Sequence, residues 1–484
     1  MYRYLVRQWP IAGVLALFGI LYSFTLNSYG MFLWDEAEYA SIARSLLHGQ
    51  GFAISGKPNA LRPPVLPLAG AASMALFGEE FDDSVLRMVA WAFALLALLL
   101  TYGFAAEAYG RDMGLAAATL LGISPFFWIF VPYFMSEIPF LAFFAASVWL
   151  FYLGIYKDRR CFAWSWICWA LAFLTRYTGS LFLPAILLMT ALAYWLGDED
   201  ARRRLWSQAF FLSPLTAAPL LALWFMREYA TFGDPLAGLR KASSQLQVYL
   251  PSVSMPWHYY LTRMPALLSP EITILFAGGV VVALWRRDRF ALHNVLVVML
   301  ILAWFSCYHY KEDRLVSSVL PFIAMVAARG LTQAAARLRP RARYAVVGTL
   351  LAGFAMVNYR VVRPVFQHTV TPGYPSFLDA MTFLRTHSSS GAMVLGANFP
   401  QIYWYSGLNA ARIPDEAQLP EALRHSEWMV ITNFEREQPA YVLGLIDLAA
   451  HTEGPAGSAE SFRDDRCFTI VIRSDRLLRA MGKR

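Results

Sequence analysis

Asp35, Glu36 and Glu38 lie close together in the segment WDEAEYASIARSLLHGQGF, just past a long apolar run. Carboxylates so placed suit general-base chemistry at a membrane surface, where one of them takes the proton of an acceptor hydroxyl. Asp35 also has a plainer reading. It precedes a stretch with Ala40, Ile42, Ala43, Leu46 and Leu47 at helical spacing, and an acid at that point can cap the helix. Glu137 stands alone in the apolar stretch VPYFMSEIPF. A charge there is costly unless it is used or paired, with helix capping by Ser136 or Glu137 as the other reading. Three basic sites follow: Arg62 in LRPPVLPLAG, Arg176 in LTRYTGS, and the cluster His309, Lys311, Glu312, Asp313 and Arg314 in YHYKEDR. A guanidinium presents a planar fork that suits a phosphate. The alternatives are a snorkelling anchor for Arg62, a turn anchor for Arg176, and a solvated turn for 309–314.

The elements that must position these residues are membrane helices. Of 484 residues, 58% are hydrophobic and 15% charged, and the mean hydropathy is +0.43. That is too little charge to cover a soluble surface. Apolar runs long enough for a ~30 Å hydrocarbon core recur as far as Val362. They predict about eleven spans, at 10–30, 85–108, 113–131, 138–156, 161–176, 179–196, 207–227, 266–285, 290–308, 315–332 and 344–362. The run after Arg62 is too short to span and reads as interfacial or re-entrant. The first run lacks a cleavage motif and reads as an uncleaved span. The expected division is a membrane domain over 1–362, with a first outer loop at 31–84, and a small α/β domain over 363–484. In the latter, 376–386 reads as a helix and 392–395, 428–432 and 467–472 as strands.

Loop charge sets the expected orientation. Arg3 and Arg7, Arg111, Lys157 to Arg160, Arg202 to Arg204, Arg286 to Arg289 and Arg337 to Arg343 fall in alternate short loops, which the positive-inside rule places in the cytoplasm. The net charge of +8 is thus a topology signal, and a nucleic-acid partner is excluded. The carboxylates and single arginines then share the opposite, outer face with the C-terminal domain. The four cysteines show no disulfide or zinc spacing. No Asp-x-Asp signature or His-rich cluster stands in the outer loops to demand a divalent ion, so neither metal nor cofactor is expected.

The order of these motifs resembles the GT-C superfamily of membrane glycosyltransferases. It runs from an acidic pair after the first span to an Arg before proline, an apolar helix ending in Phe77-Gly78, and Arg87 opening the second span. A Glu137-Ile138-Pro139 turn, the turn from Leu174 to Gly179, and Arg314 followed by Leu320-Pro321 complete it. It is similar to the branch containing protein O-mannosyltransferases and the bacterial enzymes that add aminoarabinose to lipid A; YHYKEDR is similar to a pattern of lipid-linked mannosyltransferases. The resemblance covers roughly residues 10–362 and implies a polytopic α-helical fold in the inner membrane of a bacterium. It implies transfer of a sugar, with inversion, from a polyprenyl-phosphate donor to a cell-envelope lipid, glycan or protein acceptor. Asp35 matches the catalytic base with Glu36 beside it, and Glu137 the second acid. Arg62, Arg87, Arg176, His309, Lys311 and Arg314 match the surroundings of the donor phosphate. Leu61 stands where some relatives carry a carboxylate that contributes to a metal site.

The residues leave other classes open. A secondary transporter would gather charge near the midplane on broken helices, often with an internal repeat; the charge here is mainly in loops, and no repeat is visible. A membrane scaffold with an outer binding domain gives no reason for acids and arginines to converge. In the tail, Tyr403, Trp404 and Tyr405 could stack on a sugar or serve as core or bilayer-surface aromatics.

Overall fold

The computed structural model describes residues 2–26, 30–31, 33–78, 82–248, 255–309, 311–370, 374–434, 438–450 and 459–482. The chain forms two compact units that interleave in sequence. One comprises Met1–Leu26, Ala60–Leu66 and Arg87–Gln367; the other comprises Asn27–Asn59, Pro67–Leu86 and His368–Arg484.

The first unit is helical. Seven helices are long and apolar enough to cross a membrane: Asp83–Tyr109, Glu137–Tyr156, Tyr177–Leu196, Gln208–Phe232, Arg289–Ser306, Asp313–Arg337 and Pro340–Pro364. An eighth candidate is the pair Tyr259–Leu268 and Pro270–Arg286, bent by 117°. The bend falls at Ser269, whose φ of 90° no helix tolerates, followed by Pro270 at the new helix start. The other three expected spans are also helical but shorter. They are Pro10–Ser23; Arg111–Gly122, broken from Pro125–Phe130; and Arg160–Phe173. A 14-residue helix covers only ~21 Å, less than the hydrocarbon thickness.

Packing follows side-chain size. Glu137–Tyr156 and Asp313–Arg337 are the most covered of these helices, with 78% and 83% of their apolar stretches buried, whereas only 11% of that of Pro340–Pro364 is covered. Helices Pro270–Arg286 and Leu320–Ala334 meet backbone to backbone. A Cβ on Gly279 would fall 2.0 Å from the Val326 carbonyl oxygen, and one on Gly330 2.5 Å from that of Leu275. Glycine is what permits this approach, as in other membrane helix pairs.

The second unit is built on a five-stranded sheet. In spatial order its strands are Asn409–Ala411, Met393–Gly396, Trp428–Thr432, Phe468–Arg473 and Ala459–Arg463. The first three run parallel, and Phe468–Arg473 is antiparallel to both of its neighbours, Trp428–Thr432 and Ala459–Arg463. The expected strands are present, with two more at 409–411 and 459–463, and the expected helix spans Pro375–His387. Phe377, Met381 and Leu384 face a core with Val394, Ile402, Trp428 and Val430. Ile42 and Ile54, from the chain before the second span, belong to this same core.

Candidate functional site

Within the first unit, several loop segments meet at side chains the sequence singled out. Glu137 opens the helix Glu137–Tyr156, where the partial positive charge of a helix N-terminus favours a carboxylate. Its side chain is fully buried, and Oε1 accepts a hydrogen bond from Arg176 Nη1 at 2.5 Å. The same nitrogen donates to the Ser136 hydroxyl at 3.0 Å. Ser136 occupies the cap position without forming a side-chain cap bond, so the lone acid of this turn is paired with the lone arginine of another. Oε2 of Glu137 is also buried and meets no hydrogen-bond partner among the described residues.

The turn that carries Arg176 is set by its glycine. Arg176 is extended, and Gly179 closes the turn by donating its N–H to the Arg176 carbonyl at 2.8 Å. A Cβ on Gly179 would lie 2.8 Å from the backbone of Phe173, so no larger residue fits without displacement. The turn is joined to the arginine-proline segment, because Val65 donates its N–H to the Leu174 carbonyl at 3.0 Å. Arg62 and Arg176 therefore flank one backbone hydrogen bond. On the other side, Tyr177 abuts Gly238, where a Cβ would sit 2.2 Å from the phenol oxygen and 2.5 Å from the Ala60 carbonyl. Glu228, paired with Arg227, accepts the Gly238 N–H at 3.0 Å.

The late basic turn is braced by neighbours that the sequence reading did not single out. Arg263 and Tyr259 bond the two carboxylate oxygens of Asp313 at 2.8 and 2.9 Å, and the Tyr260 hydroxyl donates to the Glu312 carbonyl at 3.1 Å. The WHYYLTR segment carried only an aromatic-basic composition as a signal, and nothing in it named Asp313 as the partner. Lys311 is buried, and its ammonium donates to the carbonyls of Met255, at 3.0 Å, and Tyr308. That makes it a staple between two segments. His309 is exposed, and Arg314 pairs with Glu312. The helical turn Asp313–Val319 packs against the helix that Glu137 opens. Arg87 is buried in its long helix.

Asp35 and Glu36 lie in the second unit. The helix Trp34–Leu47 starts from Leu33, in extended conformation. Glu36 Oε2, not Asp35, reaches back to the Leu33 N–H at 3.4 Å. The helix start is thus closed by Glu36, which is fully buried, and half-buried Asp35 occupies the second helical position. Tyr403 and Trp404 are buried and Tyr405 is half-buried, as core aromatics are.

Two family models match in succession. Residues 61–226 match dolichyl-phosphate-mannose-protein mannosyltransferases, and residues 254–391 match the Alg9-like mannosyltransferase family. The fold is similar to that of ArnT from Cupriavidus metallidurans bound to undecaprenyl phosphate, with a TM-score of 0.71 at 15% identity over 95% of this chain and 97% of that one. It is also similar to the Archaeoglobus fulgidus oligosaccharyltransferase AglB, in complex with an inhibitory peptide and a dolichol-phosphate, with a TM-score of 0.58 at 13% identity over 88% of this chain and 69% of that one. No curated protein sequence matches the chain significantly. Both matched families are mannosyltransferases, each over a part of this chain, and the fold is that of polytopic membrane proteins such as ArnT and AglB. These matches do not favour the transporter and scaffold alternatives.

Proposed function

We propose that this protein transfers a sugar from a polyprenyl-phosphate carrier to a hydroxyl of a cell-envelope lipid, glycan or protein acceptor, on the outer face of a bacterial inner membrane. The acceptor oxygen attacks the anomeric carbon. The bond from that carbon to the phosphate oxygen breaks, and the polyprenyl phosphate leaves with the electron pair. The acceptor proton passes to Asp35. Direct displacement inverts the anomeric centre. Arginines stabilise charge growing on the leaving phosphate, an effect that is strong where water is excluded. Arg62, Arg176 and Arg314 are assigned that role, with Arg87, His309 and Lys311 shaping the surroundings.

The observation that supports this reading best is the Glu137–Arg176 pair on a turn bonded to the segment of Arg62. It ties an acid to an arginine from a separate loop, on a turn whose backbone is bonded to the segment that carries Arg62, a grouping a passive bundle does not need. ArnT, similar in fold, is seen bound to undecaprenyl phosphate.

Asp35→Asn provides the test. Asn caps helices about as well as Asp, and the cap bond here belongs to Glu36. The variant should fold normally and lose activity by roughly 100- to 10,000-fold, the usual span of a general base. Transfer from a purified polyprenyl-phosphate sugar would be measured in nanodiscs. Activity within about threefold of the parent would remove Asp35 as the base.

A further inference from the structure

The strongest feature outside the loops of the first unit is a polar and aromatic grip within the second. Helix Phe399–Ser406 carries consecutive aromatics near its C-terminal end. Trp404 donates its Nε1–H to Asp83 Oδ1 at 2.9 Å, and Tyr405 donates its hydroxyl to Asp83 Oδ2 at 2.9 Å. Asp83 is buried. A buried carboxylate is costly unless hydrogen bonds replace its water, and these two donors do so.

The same two residues hold the segment of Asp35. The Tyr405 oxygen accepts the N–H of Met31. The Trp404 carbonyl accepts from Arg44 Nη1 at 2.6 Å, and the Arg44 guanidinium lies 3.7 Å from the centroid of the Trp404 ring. Trp34 meets Phe399 edge-on, with ring centroids 5.0 Å apart. The helix Trp34–Leu47 is therefore gripped before its first turn, at Trp34, and again at Arg44. Asp35 lies between those grips. Ile42, buried with Ile402, closes the same contact from the apolar side.

We propose that helix Phe399–Ser406 is a positioning element of the transferase. Trp404 and Tyr405, braced by Asp83, hold the first-loop helix through Arg44 and Met31 and set where the Asp35 carboxylate lies. This rests on the reading of Asp35 as the base. Neither aromatic touches substrate; both act through the helix they hold. Catalysis is sensitive to such holding, since a misplacement of about 1 Å can cost on the order of 100-fold.

The test uses full-length enzyme in nanodiscs and the double variant Trp404→Phe with Tyr405→Phe. It removes the indole N–H and the phenol oxygen while keeping aromatic bulk. Hydrogen exchange should quicken in residues 34–47 and stay slow in strands Met393–Gly396 and Trp428–Thr432. With the polyprenyl-phosphate sugar as probe, kcat should fall by about tenfold or more while the donor KM stays within about threefold. If the double variant does not fold, Tyr405→Phe alone removes one oxygen and is read in the same way, with a smaller fall. Adding the pair to Asp35→Asn should cause little further loss, because both changes act on one group. Unchanged exchange at 34–47 would overturn the proposal, as would quickened exchange with parental kcat. An active Asp35→Asn enzyme would instead sink the base assignment, and leaves the exchange result to judge the grip by itself.

Discussion

Arg176 and Glu137 are 39 residues apart in sequence and form an ion pair at 2.5 Å in which the carboxylate is wholly buried and the guanidinium is 17% exposed. The pair joins two turns, Ser136–Glu137 and Arg176–Gly179, that lie in separate stretches of the sequence. It also gives the arginine two tasks in the proposed reaction, to neutralise the acid and to face the donor phosphate.

Breaking the pair from one side should be worse than removing it. Arg176→Met strands a buried carboxylate, and such losses run to about 3–5 kcal/mol of stability. Glu137→Gln with Arg176→Met removes both charges and should recover most of that loss while leaving transfer abolished. Thermal unfolding in detergent measures the cycle. A double variant no more stable than Arg176→Met would show that the two charges do not act as a pair.

Arginine-to-lysine changes isolate the planar fork. Arg62→Lys, Arg176→Lys and Arg314→Lys keep the charge but lose bidentate geometry. Each should lower turnover by about tenfold or more while protein yield and melting stay near the parent, because a fork aimed at phosphate is worth more than a point charge. Wild-type turnover in all three would leave the phosphate assignment without support.

The expected orientation is checked separately. A reporter active only in the cytoplasm, fused after Arg484, should stay silent if the C-terminal domain lies outside, as the alternating basic loops predict. Strong activity would require an even number of crossings and would move the proposed site to the other face.

Asp464 gives a pH-dependent prediction for the second unit. Burial alone would raise its pKa, but N–H groups of Arg466, Cys467 and Ser376 donate to it at 2.7, 2.8 and 3.0 Å and hold it down at about 2. The charged form is bonded in the folded state, so its contribution is fully present above the unfolded value, near 4, and fades as pH falls toward 2. Asp464→Asn should lose protease resistance in the hairpin 459–473 at neutral pH, and the gap from the parent should close on acidification. A gap that is the same at pH 3 and pH 7 would rule out the charge as its source.

The sequence by itself determined that this is a membrane protein, where its apolar helices lie, that an α/β domain follows, and which acids and arginines stand in loops. Hydropathy and period report local burial, and a lone charge in an apolar run is visible without any partner. It could not determine partners. That Glu36 rather than Asp35 closes the first-loop helix depends on one rotamer. That Glu137 meets Arg176, and Asp313 meets Tyr259 and Arg263, depends on how turns from different helices dock. The tertiary structure also decided that Ile42 packs with Phe377 and that Asp83 bonds Trp404, 321 residues away. Apolar periodicity says that a face is covered, never by what; the covering surface is chosen by the packing of distant segments, which no local pattern encodes.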